Sequence, residues 1–308
     1  MVSASTPWQN RAREGTRAYP LTEVYMSSKQ DVQVDGPATA AWSEDPLTAR
    51  SRSIWSGADF LPIARGYARG AADFVRRLGL KSGDVVLDVA CGTGNLSIPA
   101  ARSGAVVTGI DIAPNLIAEA RLDAQAAGLA IHFEVGDAEA LPYGDGQFDA
   151  TMTMFGAMFA FRPERVVNEL VRVTRRGGRI AMANWTPAGF VGDMLRAHTA
   201  VVPPPAGVQS PLLWGDEETV RARFGDRVRD LTCTKRTLEL RFSLAPEAVT
   251  DLFATCYGPT VATLGAADPA GRQRLRNELT RLWGERNIAG GGITAVVGEY
   301  LDVQARVA

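Results

Sequence analysis

The stretch from Val85 to Leu96 restricts the fold more than any other part of the chain. A short apolar run, Val85-Val86-Leu87-Asp88-Val89, leads through Ala90-Cys91 into Gly92-Thr93-Gly94-Asn95-Leu96. It reads as a buried strand that hands a glycine turn to a helix start, and without Cβ atoms at Gly92 and Gly94 a ligand can come close to the backbone. Glycine serves any tight strand-to-helix turn, so the motif needs support. Asp111, 19 residues after Gly92, ends a second apolar run, Val106-Val107-Thr108-Gly109-Ile110. In a βαβ unit its carboxylate sits beside the turn and can accept both hydroxyl protons of a ribose. The competing reading is a cap for the helix that begins at Pro114. A third loop, Gly136-Asp137-Ala138-Glu139-Ala140-Leu141-Pro142, follows the next strand. There Asp137 can accept from an adenine amino group, or close an ordinary turn.

Around these loops the pattern alternates. Val85 to Leu87, Ala105 to Ile110, Ile131 to Val135, Phe148 to Met154 and Arg179 to Ala183 read as strands, while Asp59 to Leu78, Leu96 to Ser103, Pro114 to Ala127 and Pro163 to Thr174 read as helices. Alternation of this kind implies an α/β, Rossmann-like fold, a mostly parallel sheet with helices on both faces. Beyond Pro203-Pro204-Pro205 come a short helix from Asp216 to Phe224, an edge-like strand from Leu231 to Phe242 and helices over Pro246 to Tyr257 and Pro269 to Arg286. Gly290-Gly291-Gly292 then releases a last strand, Ile293 to Val303. The expected organisation is an N-terminal arm over residues 1–50, a ligand-binding core over 51–242, a helical cover over 243–290 and a final core strand within 291–308. The arm carries Trp8, Tyr19, Tyr25 and Trp42. It is either flexible or ordered over a bound ligand, with Tyr25 as the preferred lid residue.

Composition narrows the partners. The chain's 33 basic and 34 acidic residues leave a net charge of -1, which draws it to neither nucleic acid nor anionic lipid and favours a small molecule. Three cysteines, an odd number, argue against a disulfide framework, and two histidines against a His-rich metal site, so no metal is expected. No apolar run resembles a signal or a membrane span, and a cytoplasmic protein is expected. Oligomeric state is not legible.

Asp88-Val89-Ala90-Cys91-Gly92-Thr93-Gly94, Gly109-Ile110-Asp111, Gly136-Asp137-Ala138-Glu139 and Glu169-Leu170-Val171-Arg172-Val173 before Gly177-Gly178 resemble the class I S-adenosylmethionine (SAM)-dependent methyltransferases of the ubiquinone/menaquinone-methyltransferase-like branch. The resemblance covers residues 54–190. It implies a seven-stranded sheet whose last two strands pair antiparallel, placed at residues 231–242 and 293–303, and SAM as the methyl donor. It also implies that Asp88, Ala90, Gly92 and Gly94 cradle the methionine part, Asp111 and Ile112 the ribose and adenine, and Asp137 and Ala138 the adenine. Met154 and Phe155 would line the path to the methyl group. Cys91 stands where many relatives have glycine.

A nicotinamide dinucleotide oxidoreductase would share the turn and the distant acid. Against it, Ser97 occupies the third glycine position of that fingerprint, and the negative charge of Asp88 opposes a pyrophosphate but suits an ammonium or sulfonium. A SAM-binding module without catalysis is a second rival, because no base is unmistakable. His198 and Glu169 are candidate bases, with a satisfied structural histidine and a helix-surface ion pair as competing readings. Trp185 and Trp214 can wall an acceptor pocket or simply pack the core. The expected reaction is methyl transfer to carbon, nitrogen or oxygen of a small planar acceptor, aromatic or heteroaromatic, for example an indole-type specialised metabolite.

Overall fold

The computed structural model describes residues 45–308; Tyr25 and the expected arm up to residue 44 lie outside the described residues. Seven strands form one sheet in the order β3-β2-β1-β4-β5-β7-β6. They are β1 (Val85–Val89), β2 (Val106–Asp111), β3 (His132–Val135), β4 (Phe148–Met154), β5 (Thr174–Trp185), β6 (Val228–Phe242) and β7 (Thr294–Val307). The first five pair in parallel, and β7 runs antiparallel to both β5 and β6. The antiparallel pairing expected of the last two strands is therefore present. All but the first residue of β1 are buried, as befits a parallel strand covered on both faces.

The helices are α1 (Pro46–Ser56), α2 (Leu61–Arg65), α3 (Ala68–Leu78), α4 (Ser97–Arg102), α5 (Pro114–Ala126), α6 (Pro163–Val173), α7 (Phe190–Val201), α8 (Glu217–Phe224), α9 (Pro246–Cys256), α10 (Gly258–Ala266) and α11 (Pro269–Glu285). From β1 the chain steps through α4 to β2 and through α5 to β3, whereas from β4 it steps through α6 to β5 in the opposite direction. Right-handed crossovers put these two sets of helices on opposite faces. The reversal opens a crevice at the carboxyl ends of β1 and β4.

Several elements differ from the sequence-based expectation. The helix expected from Asp59 to Leu78 breaks into α2 and α3 because the carbonyl of Gly66 accepts from the Arg241 amide of β6 at 3.0 Å. The Phe242 ring also fills the place of a Gly66 side chain, 2.8 Å from where a Cβ would stand. α1, which spans residues on both sides of position 50, and α10 were not anticipated. β5 begins five residues before Arg179, and β7 runs on to Val307.

Candidate active site

The glycine turn after β1 adopts left-handed backbone at three positions, Ala90 (φ 55°), Gly92 (φ 54°) and Gly94 (φ 84°). That conformation, unfavourable for most side chains, is what the two glycines supply. The turn, the ends of β2 and β3 and the loop after β4 line a cavity of about 860 Å³, open mouth included. Ala90, Gly92, Asp88, Asp111, Ile112, Asp137, Ala138, Met154 and Phe155 all face it. Gly94 sits one step behind, against the Phe133 ring.

Three carboxylates bound this cavity, and no Lys or Arg is among its lining residues. Asp111 accepts from the Gly92 amide at 2.8 Å through Oδ2 and from the Ala113 amide at 2.9 Å through Oδ1. Neither amide belongs to a residue inside α5, whose N-cap Ala113 has no side-chain cap, so the cap reading does not hold; each Asp111 oxygen keeps a second lone pair that a ligand can use. Burial pushes its pKa up to about 6, against the pull of those amides. Asp88 is 1% exposed; its Oδ2 accepts from Ser97 Oγ at 2.6 Å, and its Oδ1 has no partner. Burial raises its pKa to about 7. Ser97, the residue that spoils a dinucleotide fingerprint, is here the clamp on Asp88. An orphan buried acceptor in an all-acidic pocket fits the cationic methionine end of SAM and disfavours a pyrophosphate.

Asp137 is also buried. Its Oδ1 accepts from the Glu139 amide at 2.9 Å and its Oδ2 from Thr48 Oγ1 at 3.0 Å. Thr48 belongs to α1, whose Ser51 and Trp55 line the cavity as well. The helix is tied down a second time by Arg162, which pairs with Asp45, the cap of α1, and with Glu139 at 2.7 Å. α1 therefore closes over the Asp137 end of the crevice.

Beside the crevice lies a smaller chamber of about 430 Å³, open space included, walled mostly by rings with Ile63, Val191, Met194 and Leu240 between them. Phe155 and Trp185 stack at 3.5 Å, and Tyr67 meets Phe155 edge-on at 5.7 Å. Trp55, Phe60 and Phe159 complete the near wall, and Phe253, Tyr257 and Trp283 from α9 to α11 the far one. Trp55, Phe60, Tyr67, Phe155 and Phe159 line both spaces, so crevice and chamber meet at a ring-lined junction.

Three expected residues are not at this junction. Glu169 accepts from the Leu141 amide at 2.6 Å and pairs with Arg172 at 2.7 Å, which spends its carboxylate on a loop and its own helix. His198 is buried; Nδ1 is 2.7 Å from the Met194 carbonyl and therefore donates, while Nε2 accepts from Thr260 at 2.8 Å. Burial lowers its pKa to about 4, and no ring nitrogen is left to take a proton. Trp214 packs under Arg223, whose guanidinium lies 4.4 Å from its ring, and lines neither the crevice nor the chamber. Conversely, Thr48, Trp55, Phe60, Tyr67 and Asn95 went unread. They lie upstream of the glycine motif or, like Asn95, carry no spacing signal; aromatic density around residues 55–67 was the available hint.

Comparison with known proteins agrees with this geometry. The methyltransferase domain family matches residues 86–178. The uncharacterized protein Rv1403c of Mycobacterium tuberculosis is 41% identical over 212 residues, which cover 68% of this chain and 77% of that protein. The demethylmenaquinone methyltransferase of Thermus thermophilus is 39% identical over 117 residues, 37% of this chain and 53% of that enzyme. Among solved structures, the YcgJ protein of Bacillus subtilis shares the fold, with a TM-score of 0.54 at 17% identity over 78% of this chain and 98% of that one.

Proposed function

The chain belongs to the class I SAM-dependent methyltransferases, with SAM as its donor, and from that premise we propose that it methylates a planar aromatic or heteroaromatic small molecule held in the ring-walled chamber. The observation that carries this is the junction itself: the five residues common to crevice and chamber are all aromatic. A flat acceptor slides between such faces with little loss of dispersion contact.

When bound, SAM supplies a methyl group already activated by its sulfonium. The work left to the protein is alignment and exclusion of water. Asp88 Oδ1 receives the donor's ammonium. Asp111 takes the ribose hydroxyls while Gly92 and Ala113 hold its oxygens in place. Asp137, steadied by Thr48 and Glu139, takes the adenine amino group. Phe155 and Trp185 orient the acceptor ring. α9 and α11, with Tyr257 at the end of α9, shape the chamber's far side and would set acceptor size, which suits an acceptor drawn from specialised metabolism. With Glu169 and His198 committed elsewhere, the acceptor's own lone pair or π electrons would form the new bond to the methyl carbon as the S–CH3 bond breaks, S-adenosylhomocysteine leaving and any acceptor proton passing to water at the open mouth of the crevice.

The test is methyl transfer from isotopically labelled SAM to a panel of planar, aliphatic and macromolecular acceptors. Transfer to planar compounds is expected. Labelling confined to aliphatic compounds, peptides or nucleic acids would refute the reading.

A further inference from the structure

Of the side chains around the chamber, only Tyr67 and Tyr257 carry oxygen, and none is ionised at neutral pH. Burial raises both phenols above the ordinary value of 10, so each is a fixed hydrogen-bond donor rather than a base. Tyr67 lines the donor crevice as well as the chamber, and Asn95 beside it counters part of that rise. Tyr257 differs. It is 5% exposed, stands between α9 and α10, and its hydroxyl has no hydrogen-bond partner among the described residues. His198, whose ring lies 6.3 Å from that of Tyr257, spends both nitrogens on Met194 and Thr260. The Tyr257 ring is held by Trp55 at 6.1 Å, Phe60 at 6.2 Å and Phe253 at 5.4 Å, so the hydroxyl cannot swing out to water without unpacking them.

Buried tyrosines ordinarily find a partner, and the Tyr257 hydroxyl, unlike the fully buried Trp283 Nε1, keeps accessible surface on the chamber where a ligand can supply one. We infer that Tyr257 is a specificity-determining residue whose hydroxyl donates to an oxygen on the acceptor, so that the acceptor is a hydroxy- or oxo-substituted planar ring. The inference rests on the acceptor reading above and narrows it. Tyr257 lines the chamber but not the donor crevice. It therefore reads the acceptor without touching the donor.

The experiment measures binding of two probes of equal size, 2-naphthol and 2-methylnaphthalene, to the protein saturated with S-adenosylhomocysteine. Wild type should prefer the naphthol by about ten- to a hundredfold, the range set by leaving a buried donor unpaired. Tyr257→Phe should bring the two within about twofold, by weakening the naphthol alone, with unchanged affinity for S-adenosylhomocysteine. A purely structural role would weaken both probes together. Equal binding by wild type, which needs no variant, overturns the inference and leaves the aromatic chamber standing; so does a preference that survives Tyr257→Phe. Binding of neither probe overturns the chamber reading and this inference with it.

Discussion

Replacing Asp88 by asparagine should make the empty protein more stable and the donor complex weaker. Asparagine keeps an oxygen for Ser97 Oγ, now 2.6 Å from the carboxylate, and places its amide NH₂ at the unpartnered Oδ1 position. That group cannot accept from an ammonium, so SAM loses a charge-assisted bond of about 1.5–3 kcal/mol, roughly ten- to 150-fold in Kd at pH 8. The sign with pH follows from the raised carboxyl. Its pKa lies near 7 in the folded chain and at an ordinary 3.8 when unfolded, so the folded state holds this proton longer. Stability is therefore full below about pH 4 and drains away as pH rises to 7, by at most about 4 kcal/mol. Asp88→Asn escapes that loss. Calorimetry with SAM at pH 5.5 and 8, alongside urea unfolding at the same pH values, reads both effects. The two proteins should bind SAM within about threefold at pH 5.5, where wild type is itself protonated, and diverge at pH 8. Equal SAM affinity at pH 8, or a variant less stable there than wild type, would refute the assignment of Asp88.

Asp111→Ala should weaken both SAM and adenosine by about a hundredfold, ~3 kcal/mol, because it removes the ribose acceptor and frees the Gly92 amide; unchanged adenosine binding by calorimetry would contradict this. Arg162→Gln leaves Glu139 buried without its cation and should cost about 3–5 kcal/mol in urea unfolding, with faster amide exchange over α1 and faster release of S-adenosylhomocysteine. Protection of α1 equal to wild type would show that the tie does not hold the helix. As pH falls from 6.5 towards 4 the unfolded chain protonates His198 before the folded one does, so wild type loses stability in that window. His198→Gln should abolish this loss and leave methyl transfer above pH 6 intact; a lost reaction would restore the histidine as a base.

The convergence of three loops on one crevice was legible because its physics is local. Gly92 and Gly94 announce a left-handed turn, and the spacing to Asp111 measures one βαβ unit, so the neighbouring Asp137 loop must share the crevice. The central parallel strands β1 and β4, buried on both faces, were equally plain. What escaped depends on distant partners. Nothing near Thr48 foretells a bond to Asp137, 89 residues on. No residue around Gly66 signals that the β6 amide of Arg241 takes its carbonyl and breaks the helix there. Glu169 and His198 had the right chemistry and the wrong engagements: Arg172 lies one turn along the same helix, but Thr260 is 62 residues away and only packing brings it to the imidazole. Trp214 and Trp185 were indistinguishable in sequence. Gly215 lets the Trp214 segment press against the β5 backbone, where a Cβ would lie 2.1 Å from the Trp185 carbonyl, and so keeps Trp214 out of the chamber.

The position of β7 bears on how the molecule is made. It is translated after every other strand, yet it is wedged between β5 and β6, and β6 bonds to no other strand. During synthesis the β5 edge stays bare and β6 stays orphaned while residues 243–293 emerge from the ribosome. Pairing of such sequence-distant strands is slow, and an uncovered edge invites aggregation. The glycine-turn crevice can assemble early, whereas the β5 and β6 residues of the ring-lined chamber, Trp185 and Leu240, are joined only when one late strand arrives to zip both sides.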